Sequence, residues 1–124
     1  MNGIVALPSE FPGGLEAKVG LHFGHSKLFT VVSLEAGEIR EVKTLPGLPH
    51  QEEGCMAPVR YLAQNGVKTM IAGGMGMRPL MGCNQLGIDV YHLGEASTVE
   101  EAVAALIAGR LPRFSTDFTC HGHD

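Results

Sequence analysis

The sequence predicts an α/β domain built on a mixed β-sheet, and two patterns carry that prediction. Before residue 46, short apolar and β-branched runs are separated by turn residues, which is typical of strands. From residue 55 to residue 109, apolar residues at helical spacing alternate with short apolar runs, which predicts helix, strand, helix, strand, helix. Strands joined by a helix run parallel and hairpin strands run antiparallel, so the sheet should be mixed.

The first half of the chain supplies three strands. A buried strand is expected at Ile4–Leu7, between Gly3 and Pro8. Lys27–Leu34 and Ile39–Leu45 are expected to form a hairpin, and the polar–apolar mixture of the second strand is typical of an edge position.

The second half supplies three helices and two strands. The strands are expected at Val67–Ala72 and Ile88–Tyr91, and no internal repeat is evident. Thr98 and Glu101 form a capping box, which marks the start of a last helix that ends at Gly109. The other helices are expected from Cys55 to Asn65 and from Arg78 to Leu86.

Composition limits the classes of function. A chain of 124 residues with 44% hydrophobic residues is enough for one core, and its formal net charge of −4 with scattered basic residues does not fit nucleic acid or anionic membranes. The first residues lack the basic region of a signal peptide and no run is long enough to span a membrane, so we expect a cytoplasmic protein. We also expect a monomer or weak dimer. Three widely spaced cysteines indicate free thiols or metal ligands rather than disulfides.

A glycine-rich turn between a predicted strand and a predicted helix is the first candidate site. It comprises Gly73, Gly74, Met75 and Gly76, followed by Arg78. Such a turn lets backbone amides and a helix N-terminus approach an anion. It lacks the Walker and dinucleotide-binding patterns, and the glycines could instead serve only a tight turn.

Histidine and cysteine supply the other candidates. His22 and His25 lie three residues apart in a loop and could share a metal ion, but two ligands alone do not define a site. His50 and Cys55 precede the first helix, whose dipole would favour a thiolate, although Cys55 could equally be a small buried residue. Cys83 falls inside a predicted helix, and a buried structural role is expected for it.

The C-terminal segment has a ligand-rich composition. Periodicity is lost after Leu111, so we expect a domain over residues 1–112 and a flexible tail over residues 113–124. Cys120, His121 and His123 form a soft-to-borderline ligand set suited to zinc, nickel or copper. Chance enrichment at a disordered end is the alternative.

Conventional catalytic motifs are missing from the sequence. It contains neither a Gly-x-Ser-x-Gly elbow nor a His-Glu-x-x-His motif. Met75, Met77 and Met81 surround the glycine turn; core filling is the usual role of methionine, but these three could also line a soft pocket for a sulfide-rich ligand.

Several motifs taken together resemble the dinitrogenase iron-molybdenum cofactor biosynthesis domain. In chain order they are His22-Phe23-Gly24-x-Ser26-x-x-Phe29, Gly73-Gly74-Met75-Gly76, Leu86-Gly87-Ile88-Asp89-Val90-Tyr91, Thr98-Val99-Glu100-Glu101-Ala102 and Gly109-Arg110-Leu111. The resemblance covers residues 3–112. That family includes carriers of the NifX and NafY type, the C-terminal part of NifB, and the orange protein of sulfate reducers with its molybdenum–copper sulfide cluster.

The resemblance implies a ribonuclease H-like fold, with a five-stranded mixed sheet flanked by helices. It also implies non-catalytic binding, storage or delivery of a preformed metal–sulfur cluster, either iron–molybdenum or molybdenum–copper, with a cluster donor or recipient protein as partner. The cluster would be surrounded by residues 22–26, the His50 and Cys55 loop, and the turn from Gly73 to Arg78. The tail lies outside the shared region.

Two other functions remain open. A thiol-dependent anion-binding or redox enzyme could use Cys55 with His50. Alternatively, an interaction module could bind metal through its tail alone.

Overall fold

The computed structural model describes residues 2–20, 28–46, 56–74 and 77–114, with the helix starts at 56–58 and 77–79 described by their backbone alone. In chain order the elements are β1 (Gly3–Ser9), β2 (Leu28–Glu35), β3 (Glu38–Pro46), α1 (Met56–Gln64), β4 (Thr69–Ala72), α2 (Met77–Gln85), β5 (Asp89–His92) and α3 (Val99–Ile107). This order confirms the predicted sequence of strands and helices.

The five strands form one mixed sheet in the order β3-β2-β1-β4-β5. Strand β1 pairs antiparallel with β2 and parallel with β4; β3 pairs antiparallel with β2, and β5 parallel with β4. The hairpin between β2 and β3 turns through Ala36 and Gly37, both at positive φ, as a tight two-residue hairpin requires. The predicted α/β class and the edge position of β3 are therefore confirmed.

Helices cover both faces of the sheet, which gives two hydrophobic clusters. Because side chains alternate along a strand, Val5 and Leu7 face one cluster while Ala6 faces the other. Helices α1 and α2 pack on the Ala6 side, and α3 packs on the Val5 side. The largest fully buried side chain is Phe29 of β2, on the Ala6 side.

Strand β1 continues through Pro8, where the sequence predicts an end. The carbonyl of Pro8 accepts a hydrogen bond from the Gly20 amide at 2.6 Å, on the side of β1 that faces away from β2. The missing amide hydrogen of Pro8 belongs to that same side, and β4 pairs with β1 only at Val5 and Ala6. Proline therefore removes no hydrogen bond of the sheet at this position.

Two helix–turn–strand units share a sequence pattern that the sequence analysis missed. The pattern begins with Met-x-Pro, continues with two apolar residues three positions apart, and ends with Gln-x-Gly and an apolar residue. It occupies residues 56–67 and again residues 77–88. Both units close with the same Schellman motif: Val67 donates to the Leu62 carbonyl at 3.1 Å, and Ile88 donates to the Cys83 carbonyl at 2.8 Å. The α1–β4 and α2–β5 units are therefore an internal structural repeat.

The ordered chain extends further than the sequence predicts. The sequence predicts a flexible tail from residue 113 onward, whereas Arg113 bridges to Tyr91 of β5 and Phe114 is buried among the residues of the Ala6 side. Arg113 also pairs with Asp89 at 3.3 Å and lies over the Tyr91 ring. Hydrophobic periodicity could not reveal this segment, because only three residues, 112–114, attach it to β5.

We expect the alanine substitutions Gly66→Ala and Gly87→Ala to destabilise the protein by similar amounts, about 1–2 kcal/mol each. These glycines have φ values of 83° and 79°, and an added Cβ meets nothing closer than the Ile4 side chain at 3.4 Å. The cost is therefore conformational rather than steric. Urea denaturation checks it, with exposed Asn84→Ala in α2 as control; a stabilising Gly87→Ala would contradict the assigned turn.

We expect Glu101→Gln to destabilise the protein near neutral pH and to have a smaller effect in acid. Hydrogen bonds from the Ser97 amide, the Ser97 hydroxyl and the Thr98 amide lower the pKa of Glu101. A carboxyl with a depressed pKa stabilises the fold above its unfolded pKa, and that stabilisation is lost as pH falls through the folded pKa. Denaturation of both proteins between pH 7 and pH 3 measures the difference, and a difference that grows in acid would contradict the capping box.

Candidate functional site at the carboxyl end of the sheet

Five strand ends meet at one end of the sheet, here called the carboxyl end. Strands β1, β4 and β5 finish there at Ser9, Ala72 and His92. The register places Leu28, the first residue of β2, opposite Ser9, and Pro46, the last residue of β3, opposite Leu28. In α/β sheets the carboxyl ends of parallel strands are the usual place for ligands.

The predicted histidine loop is attached to this end on both sides. Val19 bridges to Ser9, Gly20 donates to the Pro8 carbonyl, and Leu28 pairs with Ser9. Both ends of the loop are therefore held against the last two residues of β1. The candidates His22, Phe23, Gly24, His25 and Ser26 themselves lie outside the described residues.

The segment with the predicted thiol also begins at the carboxyl end. It leaves the sheet at Pro46 and leads into α1 at Met56, while His50 and Cys55 fall outside the described residues. The described part of the chain therefore places the start of this segment beside the end of the histidine loop.

The glycine turn follows β4 at the same end. Gly73 is half-buried and Gly74 is buried, directly after Ala72, whose carbonyl accepts a hydrogen bond from Leu93 at 3.0 Å. Met75 and Gly76 are outside the described residues, and Arg78 is the second residue of α2 with its side chain outside them. The predicted strand–glycine turn–helix arrangement is confirmed for the described positions.

All three helices begin at the carboxyl end, but they differ in how their N-termini are used. In α3 the first three amides already have partners: Val99 donates to the Ala17 carbonyl, Glu100 to the Leu15 carbonyl, and Glu101 to the Thr98 hydroxyl. Helices α1 and α2 have no acidic residue in their first turns. Their positive ends therefore favour an anion at this end of the sheet, whereas α3 is neutralised by its own cap.

An apolar cavity opens beside the strand ends. Its volume is about 510 Å³, and Phe11, which borders it, is 87% exposed. The other lining residues are Pro12, Leu28, Thr44, Leu45 and Pro46. Two of these, Leu28 and Pro46, directly adjoin the segments that contain the predicted histidine and cysteine ligands.

His92 is a residue of this end that the sequence analysis did not single out. It is the last residue of β5; its Nδ1 accepts a hydrogen bond from the Gly94 amide at 2.9 Å, and its ring lies 5.6 Å from that of Phe114. Because Nδ1 accepts, the neutral ring carries its proton on Nε2. It directly follows the predicted strand Ile88–Tyr91, and that position was the signal that could have found it.

A family comparison covers the part of the chain that forms this sheet and its helices. The model of the family described as dinitrogenase iron-molybdenum cofactor matches residues 3–109. The chain belongs to that family. Within the family's span lie the five strands, the three helices and every part of the carboxyl end.

Known proteins similar to this family member include one from Methanocaldococcus jannaschii, uncharacterized protein MJ0580, with 27% identity over 95 residues, 75% of this chain and 80% of the relative. Among solved structures, PH0822 has a TM-score of 0.77 and 25% identity over 91% of this chain and 97% of its own. The apo orange protein of Desulfovibrio gigas has a TM-score of 0.79 and 24% identity over 93% of this chain and 95% of its own, and thus shares the fold.

The described residues of this family member contain no group of three or more His, Cys, Asp or Glu side chains placed to hold a metal ion. They also contain no helix long and apolar enough to cross a membrane. The predicted metal ligands His22, His50, Cys55, Cys120, His121 and His123 all lie outside the described residues.

Cys83 has the structural role that the sequence predicts. It is fully buried in α2, and burial raises the pKa of its thiol to about 12. Met81, on the same helix, is 53% exposed and is not part of the core.

We expect Cys83 to resist alkylation in the native protein. A buried thiol with a raised pKa presents almost no thiolate at pH 8. In a Cys55→Ala/Cys120→Ala variant, iodoacetamide should label no thiol until denaturant is added, and then one, by intact-mass measurement. Rapid native labelling would contradict the burial of Cys83 in α2.

Proposed function

We propose that this protein binds and delivers a metal–sulfur cluster without catalysing a reaction on it. The observation that carries the proposal is that the described residues flanking 21–27, 47–55 and 75–76 all lie at the carboxyl end of one sheet. Three segments far apart in sequence are thereby attached around the same place, and each contains a predicted contact for the cluster.

The electrostatics of this end suit an anionic cargo. The starts of α1 and α2 contribute positive helix ends without acidic residues, and proline at the third position of each helix leaves the amides of the first two residues as donors. Inorganic sulfide clusters are anions that accept hydrogen bonds from such amides. The apolar cavity beside Phe11 would lower solvent access to one side of the cargo.

We assign roles to the candidate residues on the same basis. His22, His50 and Cys55 would supply exchangeable ligands, while Phe23, Gly24, His25, Ser26 and the turn from Gly73 through Met75 and Gly76 to Arg78 would surround the cluster. Few direct ligands and many hydrogen bonds favour release to a recipient protein. The family description supports an iron–molybdenum cluster. The molybdenum–copper sulfide implied by the resemblance is the alternative cargo.

The C-terminal tail would hold a separate metal. Residues 112–114 run antiparallel to β5, with Pro112 beside His92 and Phe114 beside Val90. The chain therefore heads away from the carboxyl end at the last described residue. We propose that Cys120, His121 and His123 bind zinc, nickel or copper independently of the cluster.

Anaerobic reconstitution tests the cluster proposal. The protein incubated with molybdate, copper(I) or iron(II), and sulfide should become coloured, with metal and sulfide in fixed ratio by elemental analysis. Cys55→Ala and His22→Ala should weaken retention by at least about tenfold, since even loss of an outer-shell partner costs that much. The matched controls Cys120→Ala and His123→Ala should leave it unchanged.

Two outcomes would reject the proposal. A colourless, metal-free product from every reconstitution would remove the cargo. Loss of all metal on deletion of residues 118–124 would instead assign metal binding to the tail alone.

A further inference from the structure

The two edge strands of the sheet differ in whether another described segment covers their outer side. Strand β5 is covered on its outer side by residues 112–114, through the His92 amide to the Pro112 carbonyl and the Phe114 amide to the Val90 carbonyl. Strand β3 is the other edge strand, and among the described residues no strand pairs with its outer side. It is nine residues long, and seven of its nine residues are exposed.

An exposed edge strand of this length is a template for pairing with another strand. We propose that the occupant is a second copy of this chain, paired antiparallel through β3 to give a continuous ten-stranded sheet across the dimer. The argument rests on the order of charges along β3.

Symmetry restricts how two copies of β3 can pair. Opposite residues in an antiparallel pair face the same side of the sheet, so the two-fold axis must be perpendicular to the sheet, and one residue must then lie opposite its own copy. The central residues of β3 offer five such registers, centred on Arg40, Glu41, Val42, Lys43 or Thr44.

One of these registers is complementary. With Val42 opposite Val42, Glu41 lies opposite Lys43 twice. Centring the pair on Arg40, Glu41 or Lys43 instead places like charges directly opposite each other, which destabilises a strand pair. Opposite charges in facing positions stabilise it. Centring the pair on Thr44 forms no charge pair, because Lys43 then lies opposite Leu45. The sequence therefore favours the Val42 register.

The structure also limits the strength of this dimer. The pairing of β2 with β3 shifts register between Ser33 and Leu34, which places a bulge in β3 at Arg40. A bulge twists the edge, so regular pairing is confined to the residues around Val42. We therefore expect a weak dimer that forms at high protein concentration and dissociates on dilution or at high salt.

Sedimentation velocity at protein concentrations between about 5 and 500 μM tests this proposal and gives the Kd of the dimer. Wild-type protein should shift from monomer to dimer. Glu41→Lys and Lys43→Glu should each weaken the dimer about tenfold or more, because each places four like charges at the interface. The control Lys68→Glu changes another exposed charge, away from β3, and should have no effect.

Mixing tests the charge complementarity of the two strands, and the double variant tests the register, because only position 41 opposite position 43 pairs opposite charges in it. The two single variants are complementary to each other, so an equimolar mixture of Glu41→Lys and Lys43→Glu should dimerise, and the double variant should dimerise by itself. A wild type that stays monomeric throughout would overturn the proposal. A dimer that is insensitive to both variants, or a mixture that stays monomeric, would overturn it as well.

Discussion

The buried pairing of β1 with strands of opposite direction on its two sides is the constraint on which the rest of the molecule depends. β1 accepts the antiparallel hairpin on one side and the parallel helix–strand units on the other. Val5, Ala6 and Leu7 are almost fully buried and send alternate side chains into the two hydrophobic clusters. A shift of β1 by one residue would exchange those faces and also separate the strand ends that meet beside Ser9.

The capping of the three helices divides the carboxyl end electrostatically. The carbonyls of Leu15 and Ala17 accept hydrogen bonds from the first amides of α3, and Glu101 neutralises the start of that helix. The same segment pairs with two elements: Lys18 bridges to Thr98, and Val19 bridges to Ser9. The N-terminus of α3 therefore stabilises the fold through its own hydrogen bonds. The positive N-termini of α1 and α2 have no acidic residue in their first turns and favour an anion.

Sequence reasoning predicted the elements because each has a local signal. Thr98 and Glu101 mark α3, and the positive-φ pair Ala36 and Gly37 lies where the hairpin was expected. Sequence reasoning failed where the signal comes from tertiary contacts. β1 can continue through Pro8 because β4 pairs with it only at Val5 and Ala6. Phe114 is ordered by its contacts with β5 and the core. The repeat was missed because Cys83 stands where its partner unit has Leu62.

The candidate site was predictable in part. The positions of Gly73 and Gly74 after a parallel strand follow from a local pattern. The proximity of residues 20, 28 and 46 does not, because it requires the register of three strands. His92 was overlooked because its role follows from where β5 ends, which periodicity locates only to within a residue or two.

Phe114 couples the outer edge of β5 to the core, because its amide donates to the Val90 carbonyl and its side chain packs in the cluster that α1 and α2 cover. Detachment of residues 112–114 would therefore uncover backbone groups of β5 and apolar surface of that cluster in one step.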